Sequence, residues 1–389
     1  MAATRRSSSV PAVRPRHLPA APAAGLVAVV LGCSVLAGCS VVATPDSPTV
    51  PGTPQATAGP VGYVVCPDAV TPVELRSHLA EASIPLPVDG TPPLGDYAIA
   101  VSPDGRSAFV VTQSTPPGQS PRNVLIPIDL TTRHAGSPIV LPGDGDSGAV
   151  VVMHDGRTVL AASGTTIVPV DVATRAVGRP LDLGTGRTVS GMALSPTSDT
   201  LYALVPDGVV PVDTATATAE APIPTGLTVS SVSSPHGLVV SPDGTTLWVA
   251  GQGPPDFGGR VVPVSTATGV VGTATNFDAF GITDPAALAI TPDGSQLLVA
   301  DSANNWIDTV LTADPAQPLT PLRLPTGTGT ATASGADHPT DVVTSPEDVG
   351  AFVVTGLGTV LPYHPSHRTY GTPIRVCTGA TSMAVFVPD

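Results

Sequence analysis

The chain has 389 residues, long enough to bury a sizeable core, and carries 30 acidic residues against 16 basic ones for a formal net charge of −14. Such a charge balance repels nucleic acid and anionic lipid headgroups. Aromatic residues are only 3% of the chain, which argues against stacking platforms for bases or sugar rings.

At the N-terminus Arg5, Arg6, Arg14 and Arg16 precede an apolar stretch from about Ala21 to Ala37, and no acidic residue occurs before Asp46. A basic n-region followed by a short apolar h-region reads as a secretory signal. A stretch of about 20 apolar residues also suits a signal-anchor helix, so the boundary residues decide between the two. Leu36-Ala37-Gly38-Cys39 resembles the bacterial lipobox. That resemblance implies cleavage before Cys39, removal of residues 1–38, lipidation of the Cys39 thiol, and localisation on the outer face of the cytoplasmic membrane. Arg5-Arg6 is a poor twin-arginine match, because Ser7-Ser8-Ser9 and a long spacer separate it from the apolar run, so the general secretory route is expected. Loss of the leader takes the net charge from −14 to about −18. Every basic residue is arginine, and Ala, Val, Thr, Pro and Gly abound, a composition similar to that of actinobacterial proteins.

From Val41 to Pro60 the chain is mostly Pro, Thr, Ala, Ser and Val with one charge and no periodicity, so residues 39–60 are expected to form a disordered tether. From Val61 to Asp389 one pattern repeats: an apolar strand, a Ser-Pro-Asp-Gly turn or a decayed form of it, and a second apolar strand. The copies are Ala98 to Val111, Ala149 to Ala162, Gly191 to Leu204, Gly237 to Ala250, Ala287 to Ala300 and Asp341 to Val354. Proline presets one turn angle, aspartate bonds its own backbone, and glycine supplies the positive φ that releases the next strand. A third strand follows, as in Ile126-Pro127-Ile128-Asp129 or Val210-Pro211-Val212-Asp213, and then a fourth segment. The fifth copy departs from this with Trp306-Ile307-Asp308-Thr309-Val310. Proline within a third strand lacks an N–H, so a short or irregular fourth strand is expected.

Four short antiparallel strands per repeat are the sheet unit of a β-propeller. The ends complete the count. Ser382 to Asp389 matches a first strand and then stops, while Gly62 to Val65, Val70 to Val73 and Ala82 to Val88 supply the other three strands of the same blade. The fold class is therefore all-β, a seven-bladed propeller of four-stranded antiparallel blades closed by pairing N- and C-terminal strands. Cys33 and Cys39 are used before or at the lipobox, leaving Cys66 and Cys377. Cys66 leaves a second strand and Cys377 enters the neighbouring first strand, so the two are expected to meet in a disulfide in an oxidising compartment.

Phe109-Val110-Val111-Thr112, Phe352-Val353-Val354-Thr355, the Ser-Pro-Asp-Gly turns and the Val-Asp-x-Ala-Thr endings together resemble the YVTN family of β-propellers. The resemblance implies the fold and leaves activity open, since that family spans surface-layer proteins, binding modules and propellers of unknown role, with sugar-lactonase propellers as structural relatives.

Propeller chemistry gathers at the channel mouth. The residues leading into first strands include Asp96, Asp146, His236, Asp284, His338 and Asp341. Histidines with carboxylates suit a metal or an acid–base pair, but no short metal-ligand spacing links His236 to His338, and a shape role at the strand entrance is the plainer reading. Of these, His236, His338, Asp284 and Asp341 are the candidate site. Gly145-Asp146-Ser147-Gly148 lacks the histidine partner of a serine protease. Gly143-x-Gly145-x-x-Gly148 precedes a strand rather than a helix, and its aspartates would repel a pyrophosphate. Thr326 to Gly335 reads as a glycine-rich insertion. The expected function is a monomeric, membrane-tethered binding scaffold for a protein or cell-envelope component, with no cofactor, no bound metal and no nucleic acid. The alternative is a lactonase-like hydrolase with its site at the channel mouth.

Overall fold

A computed structural model of the chain describes residues 59–89, 97–143, 145, 148–184, 186, 188–206, 208–229, 237–254, 258–325, 338–346 and 350–388. Contacts divide the chain into two units, Met1–Gln55 and Ala56–Asp389. The leader, Cys39, nearly all of the proposed tether, Asp96, Asp146, His236 and the glycine-rich insertion lie outside the described residues.

Blade 1 shows how the repeat becomes a sheet. Ala98–Val101, Ser107–Ser114 and Arg122–Asp129 pair as successive antiparallel strands. The turn between the first two is fixed by its own side chains. The Ser102 hydroxyl donates to Asp104 at 2.6 Å, the Ser107 N–H donates to Ser102 Oγ at 3.0 Å, and Gly105 adopts φ +66°. Ser241 with Asp243 and Thr291 with Asp293 repeat the arrangement in blades 4 and 5.

The fourth strand is not continuous. In blade 1 it consists of His134–Ala135 and Ile139–Val140, two short pieces that both pair with the third strand. Pro127 lies between them with its carbonyl taken by the Gly136 N–H at 2.7 Å. Proline has no N–H to return, so the ladder breaks there and resumes beyond it. Blades 3, 6 and 7 split in the same way; in blades 2 and 4 the first piece shrinks to a single bridge, Val170 to Val177 and Val264 to Val271, and blade 5, which lacks the proline, has one two-residue outer segment.

The seven sheets form a ring, for their inner strands touch in cyclic order. These are Ala98–Val101, Val150–Val152, Gly191–Leu194, Leu238–Val240, Pro285–Ile290, Pro339–Thr344 and Ser382–Phe386. Both faces of each sheet are covered by a neighbour, which explains why the second strands read as unbroken apolar runs. One apolar cluster fills each seam. Each fully buried Val, Leu or Ile in them contributes about 1.5–3 kcal/mol relative to exposure.

The ring closes in blade 7. Val61–Val65 pairs on one side with Ala69–Glu74 and on the other with Ser382–Phe386. Cys66 and Cys377 are joined by a disulfide with Cα atoms 6.1 Å apart, in the place the strand order predicts. The Phe386 ring lies over Gly105 of blade 1, so closely that a Cβ there would come within 2.1 Å of it.

Candidate functional site

The central channel is lined over blades 3 to 6 by Met192, Leu194, Leu238, Leu288, Val343 and neighbouring small or aliphatic residues, around a cavity of about 340 Å³. No titratable side chain is among its lining residues. Chemistry on this axis therefore depends on the mouth, where the strands begin.

Asp341 is the third residue of the inner strand of blade 6, Pro339–Thr344, and is completely buried. Its carboxylate accepts the Val342 N–H at 2.8 Å and, across the seam, the Met383 N–H of blade 7 at 2.9 Å. A charged acceptor bonded to two backbone donors is a strong fastening. Asp341 thus ties the C-terminal strand to its neighbour in sequence order. His338 precedes the same strand, its ring packed against Gly356, whose N–H donates to the His338 carbonyl at 3.0 Å. Asp284 stands at the corresponding place in blade 5, half-buried, and accepts the Ser302 hydroxyl.

The structure brings Asp284 next to a residue that sequence reading passed over. Asp301 ends the second strand of blade 5, Gln296–Asp301, and is fully buried. It accepts the Ala303 N–H at 3.1 Å and the Asn304 amide at 2.8 Å. Burial raises its pKa, and the Asp284 charge adds to the rise, against the lowering effect of those hydrogen bonds. Behind it lies Asp308, on the third strand Trp306–Leu311. Asp308 occupies the position before the strand's usual proline, where the other blades place Thr71, Ile126, Val168, Val210, Val262 and Leu361. Neither of its oxygens has a hydrogen-bond partner. Burial, reinforced by the Asp301 charge and opposed by Arg368, pushes its pKa up to about 8. At neutral pH this side chain is a neutral acid, which is how a carboxyl survives in an apolar seam.

Blade 5 thus carries a polar corner of Asp284, Asp301, Ser302 and Asn304 at the mouth, backed by a protonated Asp308. The signal was in the sequence as the broken third-strand signature. It points to this blade but not to Asp301, whose partners come from the following turn. The corner offers hydrogen-bond acceptors and two neighbouring carboxyl groups, Asp284 and Asp301, of which Asp301 is held above the usual carboxylate range by burial. Among the described residues no group of three or more His, Cys, Asp or Glu side chains is placed to hold a metal ion. A further cavity, about 600 Å³, lies away from this corner, in the seam between blades 2 and 3.

No protein family model matches the chain, and no curated protein matches it. Among solved structures it is similar to the hydrazine synthase of Kuenenia stuttgartiensis, at 16% identity and a TM-score of 0.57, over 85% of this chain and 99% of that one. At that identity the likeness shows the fold alone.

Proposed function

We propose that this β-propeller is the exported domain of a lipoprotein, attached through Cys39 to the outer face of the cytoplasmic membrane, and that it serves as a binding scaffold of the YVTN kind for a protein or cell-envelope component. The observation that carries the reading is the Cys66–Cys377 disulfide at the ring closure. Structural disulfides persist in oxidising compartments outside the cytoplasm, which fits the basic leader and lipobox of the same chain. The largely aliphatic lining of the channel over blades 3 to 6 fits a scaffold. Fractionation of cells expressing Cys39→Ala tests the anchor: the protein should leave the membrane for the medium or remain as an uncleaved precursor. A mature N-terminus found by mass spectrometry at a site other than Cys39 would reject it.

A hydrolase with its site at the channel mouth remains the second reading, and the paired Asp284 and Asp301 favour it. Its test is lactone hydrolysis by the wild type and Asp301→Asn. A rate above background that falls at least tenfold in the variant would displace the scaffold reading.

A further inference from the structure

Several seams between blades share an outer fastening that the seam between blades 2 and 3 lacks. In six of the seven turns between third and fourth strands, blade 5 being the exception, one residue adopts a positive φ. These are His78 at +59°, Arg133 at +58°, Arg175 at +61°, Ala217 at +52°, Gly269 at +67° and Arg368 at +52°. They are equivalent positions, because the N–H three residues further on bonds the carbonyl of the third-strand proline each time: Glu81 to Pro72, Gly136 to Pro127, Gly178 to Pro169, Glu220 to Pro211, Gly272 to Pro263 and Gly371 to Pro362.

Where this position is arginine, its guanidinium reaches back onto the outer strand of the preceding blade. Arg133 of blade 1 donates to the Ala82 carbonyl of blade 7 at 2.6 Å and pairs with Glu81. Arg368 of blade 6 donates to the Thr320 carbonyl of blade 5, the equivalent of Ala82. Arg175 of blade 2 lies over Gly136 of blade 1, where a Cβ would come within 3.2 Å of both terminal nitrogens. His78 instead meets Phe352 of blade 6 edge-on, ring centroids 6.4 Å apart. Gly269 of blade 4 has no side chain, but Ile223 of blade 3 packs against it.

Blade 3 has Ala217, which is too short to cross. The seam behind it holds the cavity of about 600 Å³, and Ala217 is part of its wall. Leu160, Ile167, Leu181, Leu201 and Val212 give it an apolar body. Its rim holds His154, Asp155, Asp199 and Arg179. The repeat departs from pattern here too, since Met153-His154 replaces the usual Ser-Pro, and the His154 ring is tied to the Ser195 carbonyl at 2.8 Å. Asp155 keeps only the Arg157 N–H, at 2.9 Å, and among the described residues the Asp199 carboxylate and the Arg179 guanidinium make no hydrogen bond or ion pair.

We propose that this vacant clasp is a binding site for an aliphatic guanidinium, taking from outside the group that blades 1, 2 and 6 supply from within. Its volume falls within the range of small-ligand pockets, about 300–1,000 Å³. The apolar walls cover the stem. The Arg179 carbonyl, equivalent to those of Ala82 and Thr320, and the carboxylates of Asp155 and Asp199 receive the head. Arg179 is the one opposing charge on the rim, and its exposed side chain turns outward when the site fills.

The test is calorimetric titration of the whole chain with n-butylguanidinium, with n-butylurea as the neutral isostere. A Gly-Arg-Gly peptide in a parallel arm tells a free cation from an arginine side chain of a partner. Saturable one-site binding of the guanidinium is expected, at least tenfold tighter than of the urea. Asp199→Asn should weaken it and Arg179→Gln should tighten it. Ala217→Arg should abolish it, at a φ where arginine already sits in three other blades. Leu181→Trp fills the cavity from the opposite wall without touching the turn, and should also abolish binding. Absence of binding, equal binding of the urea, binding that survives both filling variants, or weaker binding in Arg179→Gln would overturn the proposal.

Discussion

Blades 5 and 7 both depart from the repeat, in opposite directions. Blade 7 is where two chain ends meet, and fastenings accumulate there: strand pairing on both sides of Val61–Val65, the Cys66–Cys377 bridge, the Asp341 carboxylate on the Met383 N–H, and Phe386 over Gly105. Blade 5 is continuous in sequence, and it carries a buried, unpartnered acid where its siblings carry mostly aliphatic residues. Neighbouring blades connected by peptide bonds hold a weak seam in place, because opening it locally does not release the chain. The joint between the ends has no such support, since its loss lets the ring open and fray. In a circular repeat, tolerance of a polar insertion is greatest where the chain is continuous.

The sharpest way to break this comparison is to cut the joint. The bridge spans 311 residues of sequence, and in the chain-entropy account such a loop contributes about 6 kcal/mol at most. Cys66→Ser with Cys377→Ser should lower the unfolding free energy by an amount approaching that figure, with blade 7 losing amide-exchange protection first. Equal loss of protection in all seven blades would show that the joint is no weaker than the seams.

Blade 5 should respond in the opposite sense. The folded pKa of Asp308, about 8, lies above its ordinary value of 3.8, so the folded chain holds a proton that the unfolded chain releases. Through this group, stability falls as pH rises from about 4 to about 8 and then levels off, with a slope of at most about 1.4 kcal/mol per pH unit. Asp308→Val, the residue of blade 2, should therefore stabilise the protein by a few kcal/mol at pH 8 and by much less at pH 5. Thermal melts of both proteins across that range measure the difference, and a pH-independent gap would show that Asp308 is not protonated in the fold.

The smallest effect expected is at the contact between the C-terminal strand and blade 1. Gly105→Ala places a Cβ at φ +66° and against the Phe386 ring. It should cost about 1–2 kcal/mol for the backbone, with a further steric share. Adding Phe386→Ala should recover the steric share and leave the backbone share, as a double-mutant cycle of urea midpoints would show. Strict additivity would mean that Phe386 does not bear on the turn.

The sequence by itself determined the propeller, its seven blades and its closure, because each of these rests on local chemistry repeated many times. Ser-Pro-Asp-Gly fixes a hairpin wherever it occurs, the third-strand proline announces an interrupted outer edge, and the terminal segments match complementary parts of one repeat. Even the pairing of Cys66 with Cys377 followed, since strand order alone puts a second-strand exit beside a first-strand start. What only the tertiary structure decided were contacts made between blades by side chains far apart in sequence. Asp341 was legible as a mouth residue, but its bond to Met383 depends on how the last strand docks. Asp301 was silent, because its environment is built by Asp284 and by the following turn. The open seam behind Ala217 was silent as well. A missing arginine means little until the structure shows that its counterparts in three other blades cross to the preceding blade, and such crossings are fixed by the angle between packed sheets rather than by any local motif.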